Sequence, residues 1–101
     1  MTLQEITTKM KEGASKKSAF GNSVKFTTDQ GVVHIDGNQN PPSVSNDDKA
    51  ADCTIKMEFA DFDDLINGKL DGMTAFMTGK LKIEGDMGVA MKLQQLFAKL
   101  R

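Results

Sequence analysis

The run AFMTGKLKIEGDMGVAMKLQ, residues 75–94, decides the fold. Leu81 and Ile83 alternate with Lys80, Lys82 and Glu84, so a strand placed here has one apolar and one wet side. The strand stops at Gly85. Asp86 is a natural N-cap and Gly88 permits close packing in the first turn. Val89, Leu93, Leu96, Phe97 and Leu100 then recur at helical spacing. A short strand therefore runs into a terminal amphipathic helix.

Working upstream, Cys53, Ile55 and Met57 alternate with Thr54, Lys56 and Glu58, which predicts another half-buried strand. From Phe59 to Asn67 the spacing turns helical through Phe62, Leu65 and Ile66. Asp61, Asp63 and Asp64 sit in the first turn, where carboxylates favour the helix dipole. Gly68 closes this helix as a left-handed cap. Asp71 restarts a short one carrying Met73, Phe76 and Met77, which ends at Gly79.

Nearer the start, Thr2 and Glu5 stand at capping-box spacing. Leu3, Ile6, Met10 and Ala14 form an apolar stripe that predicts a helix over 3–16. The stripe packs on the domain, and Lys9, Lys11 and Lys16 would also let this helix rest transiently on an anionic bilayer. Between Asn22 and Asn46 the period falls to two. Val24, Phe26 and Thr28, a turn at Asp29-Gln30-Gly31, and then residues 32–36 predict antiparallel strands. Pro41-Pro42 bars a central strand, leaving Ser43 to Ser45 as a short edge strand. The residues from Asp47 to Ala51 are polar and cross over the sheet. The sum is an α+β domain spanning 1–101: a five-stranded, mostly antiparallel sheet, wet on the face of Lys25, Lys56, Lys82 and Glu84, with helices covering the other.

Composition narrows the function. A chain of 101 residues has room for a single core and none for a separate catalytic domain. Thirteen basic residues against fourteen acidic ones give no electrostatic grip on nucleic acid. One cysteine cannot form an internal disulfide, which fits a cytoplasmic protein. The first residues carry charges where a signal peptide needs an apolar run. Trp and Tyr are absent while Phe and Met contribute six and seven residues, apolar surface without donors that suits a greasy ligand or simply a small core.

No catalytic or metal set emerges, and no cofactor is called for. His34 is the single histidine, flanked by Val33 and Ile35 on the opposite strand face, and reads as a solvated strand residue. Cys53 is in step with Ile55 and Met57, which leaves a buried small hydrophobe and a reactive thiol equally open. The aspartates at 61, 63 and 64 lack the loop spacing of a calcium site. Gly85 to Gly88 lacks the full glycine fingerprint of a phosphate-binding turn, and Asp86 places a negative charge there. What remains is surplus apolar surface on short helices that cannot close tightly over a twisted sheet. A gap there would be a dry void or hold an apolar guest, in a pocket of about 300 to 1,000 Å³.

Three linked blocks, Asp52-Cys53-Thr54-Ile55-Lys56-Met57, then Phe62 to Leu70 with Asn67-Gly68-Lys69, then 75–94, resemble the sterol carrier protein 2 family in order and spacing. The resemblance is strong from Asp52 to Gln94 and loose before it. It implies a non-catalytic carrier with an apolar tunnel between helices and sheet, taking a fatty acid, fatty acyl-CoA or sterol. It places Leu70, Ala75, Phe76, Met77, Leu81 and Ile83 on the family's hinge and last strand, and Met87, Met91 and Gln94 on its terminal helix. The expected lipid-lining set is Phe26, Ile35, Ile55, Met57, Phe59, Phe62, Leu65, Ile66, Leu70, Met73, Phe76, Met77, Ile83, Met87, Met91 and Gln94. Gln94 would supply the polar contact.

Two departures qualify the likeness. Asp71-Gly72-Met73-Thr74 replaces an Asn-Pro-Gln-type segment, which implies a looser lid, and Arg101 follows Ala98-Lys99-Leu100 where animal members often end in a peroxisomal tripeptide. The compact length resembles a stand-alone bacterial member, expected to be a monomer. The competing expectation is a protein-interaction or dimerisation domain whose apolar groove docks a partner enzyme.

Overall fold

A computed structural model of the chain describes residues 2–16 and 21–91. Helix α1 spans Leu3–Ala14 and opens on the capping box: Glu5 N–H donates to Thr2 Oγ1 at 3.1 Å, and Thr2 N–H donates to Glu5 Oε1 at 2.9 Å. Two of the amides that a helix start leaves unpaired are satisfied in this way. The helix ends two residues before Lys16 because the Ser15 hydroxyl donates to Glu12 O at 2.7 Å, competing with the helical ladder.

Strands β1 (Ser23–Thr28), β2 (Gly31–Asp36), β3 (Ser43–Ser45), β4 (Cys53–Met57) and β5 (Leu81–Gly85) form one sheet in the order β3-β2-β1-β4-β5. All neighbours are antiparallel except β1 and β4, which run parallel at its centre. A parallel pair needs a long connection, supplied here by β2, β3 and the crossover over residues 46–52. The two strands are locked at their starts: Ser23 N–H donates to Asp52 Oδ2 and Asp52 N–H to Ser23 Oγ, both at 3.0 Å.

On the covered face Val24, Phe26, Val33, Ile35, Val44, Cys53, Ile55, Met57 and Leu81 are buried. Helix α1 packs Ile6, Met10 and Ala14 into this core, and Asn46 Nδ2 ties it to the sheet by donating to Thr7 Oγ1 and Val32 O, both at 2.9 Å. Helix α2 (Phe59–Ile66) brings Phe62, whose ring stacks on Phe26 at 5.0 Å between centroids, and buries Leu65 and Ile66. Its N-cap position, Glu58, makes no side-chain cap bond. Asp29, from the β1–β2 turn, accepts the Phe59 N–H instead at 2.6 Å.

Helix α3 (Gly72–Met77) is capped by Asp71, which accepts from Thr74 N–H at 3.1 Å. Helices α2 and α3 end alike. Gly68 and Gly79 both stand at φ 78°, and the next amides, Lys69 and Lys80, donate back to Asp64 O and Ala75 O at 2.8 Å. This is the closing motif that a glycine permits without steric cost. After β5, Asp86 N–H donates to Asp52 O at 3.0 Å, and residues 87–91 are helical.

The other sheet face departs from the expected solvated surface at His34. Its side chain is buried, with 5 % of the residue exposed, because the crossover lies over it: Nε2 donates to Ala50 O at 3.1 Å. Nearby, Lys25 pairs with Asp48 of the same crossover at 2.8 Å, whereas Lys56 and Glu84 pair at 3.0 Å in the open. The crossover therefore covers the middle of this face, while Lys56, Lys82 and Glu84 on β4 and β5 stay exposed.

Candidate apolar site

Between α3, residues 87–91 and the β1, β4 and β5 strands lies a cavity of about 180 Å³. Phe26, Ile55, Leu81 and Ile83 form its floor, Leu65 closes one side, and Gly72, Met73, Phe76, Met87, Ala90 and Met91 form the cover. Among the described residues, none that lines it is titratable or charged. Its origin is geometric. Helix α3 has six residues and buries Ala75 alone, while Gly72 and Ala90 face the gap with little or no side chain. Dense packing needs side-chain volume, which these positions do not supply.

The cavity is smaller than the 300 to 1,000 Å³ common for ligand pockets. Phe62 and Ile66 are packed solidly against the sheet, so space opens only beyond Leu65. Apolar cavities of about 150 Å³ stay dry and admit a benzene-sized guest.

Of the residues expected to line a lipid site, Phe26, Ile55, Leu65, Met73, Phe76, Ile83, Met87 and Met91 come together here. Ile35, Met57, Phe62 and Ile66 are instead core residues, and Phe59 and Leu70 pack against that core half-buried. Met77 points away and is 77 % exposed, while Gln94 lies outside the described residues. Gly72, Leu81 and Ala90 also line the cavity. The signal for Leu81 is its two-residue alternation with Ile83; no search for large apolar side chains finds Gly72 or Ala90.

Cys53 is completely buried. Desolvation, helped by the Asp86 carboxylate, pushes its thiol up from the ordinary range, which describes an inert core thiol. Among the described residues no group of three or more His, Cys, Asp or Glu side chains is placed to hold a metal. No helix among them is long and apolar enough to cross a membrane. A wider depression lies at the exposed end of β4 and β5. It carries Lys56, Lys80 and Lys82 against Asp29, Glu58 and Asp61, so its charges cancel.

Sterol carrier protein 2 of Homo sapiens is 59% identical over 51 residues, which cover 50% of this chain and 9% of the human protein. Hydroxysteroid dehydrogenase-like protein 2 of Danio rerio is 38% identical over 73 residues, 70% of this chain and 18% of that protein. The chain thus aligns with under a tenth of the human relative and under a fifth of the fish one. Among solved structures, sterol carrier protein 2 of Aedes aegypti in complex with palmitate superposes with TM-score 0.80 at 21% identity, covering 100% of both chains. The sterol carrier protein domain of Helicoverpa armigera superposes with TM-score 0.68 at 26% identity, over 96% of this chain and 80% of that one. The model of the SCP-2 sterol transfer family matches residues 3–98, and the chain belongs to that family.

Proposed function

We propose that this chain carries a lipid by burying part of one hydrocarbon chain in the cavity under α3, without chemistry. The observation that carries the reading is the lining itself: a half-open apolar space with no acid, base or nucleophile facing it among the described residues. Family membership supports it, as does the palmitate held by the mosquito neighbour of the same fold. A fatty acid or fatty acyl-CoA fits better than a rigid sterol, because a flexible chain can enter a narrow space end first.

Magnitudes limit the grip. A space just above benzene size takes about six to eight methylenes in the conformation described. At about 0.8 kcal/mol per buried methylene, this gives roughly 5 to 6 kcal/mol, between millimolar and micromolar affinity. Tighter binding requires the cover of Met73, Phe76, Met87 and Met91 to swing outward and admit more chain. The polar end of the lipid stays in water.

Ala90→Phe tests the placement by filling the space. Displacement of a fluorescent fatty acid should show uptake lost while circular dichroism stays native. Undiminished uptake by the folded variant overturns the site.

A further inference from the structure

We propose that the outer edge of β5 pairs with β5 of a second copy of this chain, antiparallel about a two-fold axis at Ile83. The sheet has two edges, β3 and β5. Strand β3 has three residues, follows Pro41-Pro42 and packs against α1, so it is short and guarded in the way that keeps an edge single. Strand β5 has five residues and no proline, and among the described residues its backbone pairs with β4 alone. Asp86 N–H donates to Asp52 O, in step with the β4–β5 register. By the alternation of an antiparallel ladder, Lys82 and Glu84 then bond inward to Lys56 and Thr54. Leu81, Ile83 and Gly85 aim their backbone groups outward, toward any strand that would join the sheet.

The strand's own charges choose the partner. An antiparallel neighbour can bond this edge only where outward residues meet outward residues, and charge selects among the registers that satisfy this. Centred on Ile83, the pairing sets Lys82 opposite Glu84 of the second copy, and by symmetry Glu84 opposite the second copy's Lys82. One step further out, exposed Lys80 comes toward exposed Asp86 of the second copy. Centred one residue earlier or later, the pairing would set Lys82 against Lys82 or Glu84 against Glu84, which is unfavourable. Lys82 also lacks a partner within its own chain. It stands directly across from Lys56, and Glu84 bonds to Lys56 at 3.0 Å, which leaves Lys82 with no paired carboxylate among the described residues. Glu84 of the second copy would supply one. The product is a sheet continuous through both copies, with the two cavities on one face, each floored by its Ile83 beside the axis.

Such a dimer replaces the monomer expected from the sequence and does not depend on what the cavity holds. Sedimentation equilibrium over a concentration series compares wild type, Glu84→Lys, Lys82→Glu and the double variant carrying both, with hydrogen exchange read at the Ile83 amide. Both side chains are exposed, so circular dichroism should stay native throughout. Wild type should dimerise. Each single substitution should raise the dimer dissociation constant about tenfold or more, because it turns two attractive cross-strand pairs into two repulsive ones. The double variant should regain dimerisation, since exchanging the charges keeps opposite signs opposed. The Ile83 amide should gain protection with concentration in wild type and the double variant and in neither single one. A wild type that stays monomeric up to about 1 mM, the weak end of association, overturns the proposal. So does a dimer indifferent to the single substitutions, or one that the double variant fails to restore. Protection of the Ile83 amide in a monomer assigns the edge to residues 92–101 of the same chain and overturns it as well.

Discussion

Helices α1 and α3 begin in the same way and end up with opposite duties. Each has a side-chain cap, Thr2 on one and Asp71 on the other. Helix α1 then runs twelve residues and buries Ile6, Thr7, Met10 and Ala14, whereas α3 runs six and buries only Ala75. A longer helix returns its apolar stripe to the sheet every three or four residues. One and a half turns can do so once. The long helix therefore seals its end of the core, and the short one leaves the space that Met73 and Phe76 overhang. The lesson is that a hollow in a small domain needs no special lining chemistry, only a cover too short to close.

That contrast can be broken most directly at its strongest point. Ile6→Ala should cost about 2 to 5 kcal/mol in urea unfolding, the range for truncating a fully buried aliphatic side chain. Met73→Ala, on the half-exposed cover, should cost under about 1 kcal/mol. Similar losses would show that α3 supports the fold as much as α1 does. Ala90→Phe sharpens the comparison next. Its tenfold or greater loss of fatty-acid uptake should come with stability unchanged or raised by about 1 kcal/mol, since it fills space rather than overpacking the core.

Removing the caps has a smaller effect. Thr2→Ala and Asp71→Ala should each weaken their helix by about 1 kcal/mol. Hydrogen exchange should separate them, with Asp71→Ala loosening amides around α3 alone. The smallest effect is in acid. The Thr2 amide and hydroxyl hold the Glu5 carboxyl below its ordinary 4.5, so the folded pKa is depressed. Its contribution is present above pH 4.5 and lost as the pH falls through the lower, folded value. Glu5→Gln keeps the reciprocal bond and should remove this acid dependence from α1 fraying.

Much of the architecture could be read from residue periods and punctuation. The Thr2–Glu5 pair, Gly68, Asp71 and Gly79 each marked a helix boundary by a local mechanism, and local mechanisms survive folding. The parallel pairing of β1 with β4 was not legible, because it depends on where a crossover lands. The same crossover buried His34, whose strand pattern of Val33 and Ile35 described only the face beneath it. For the cavity, the pattern of large apolar residues reached Met73, Phe76, Ile83 and Met87. It could not distinguish them from Phe62 and Ile66, which are as oily but packed solid. Emptiness is set by missing volume at Gly72 and Ala90.

That missing volume bears on any attempt to make this protein hardier. The easiest gains in heat tolerance lie where Gly72 and Ala90 leave room, so selection for survival at high temperature alone would favour plugging it. Laboratory stabilisation of this chain should therefore be screened with cargo present, or its most robust descendants will be those with nowhere to put one.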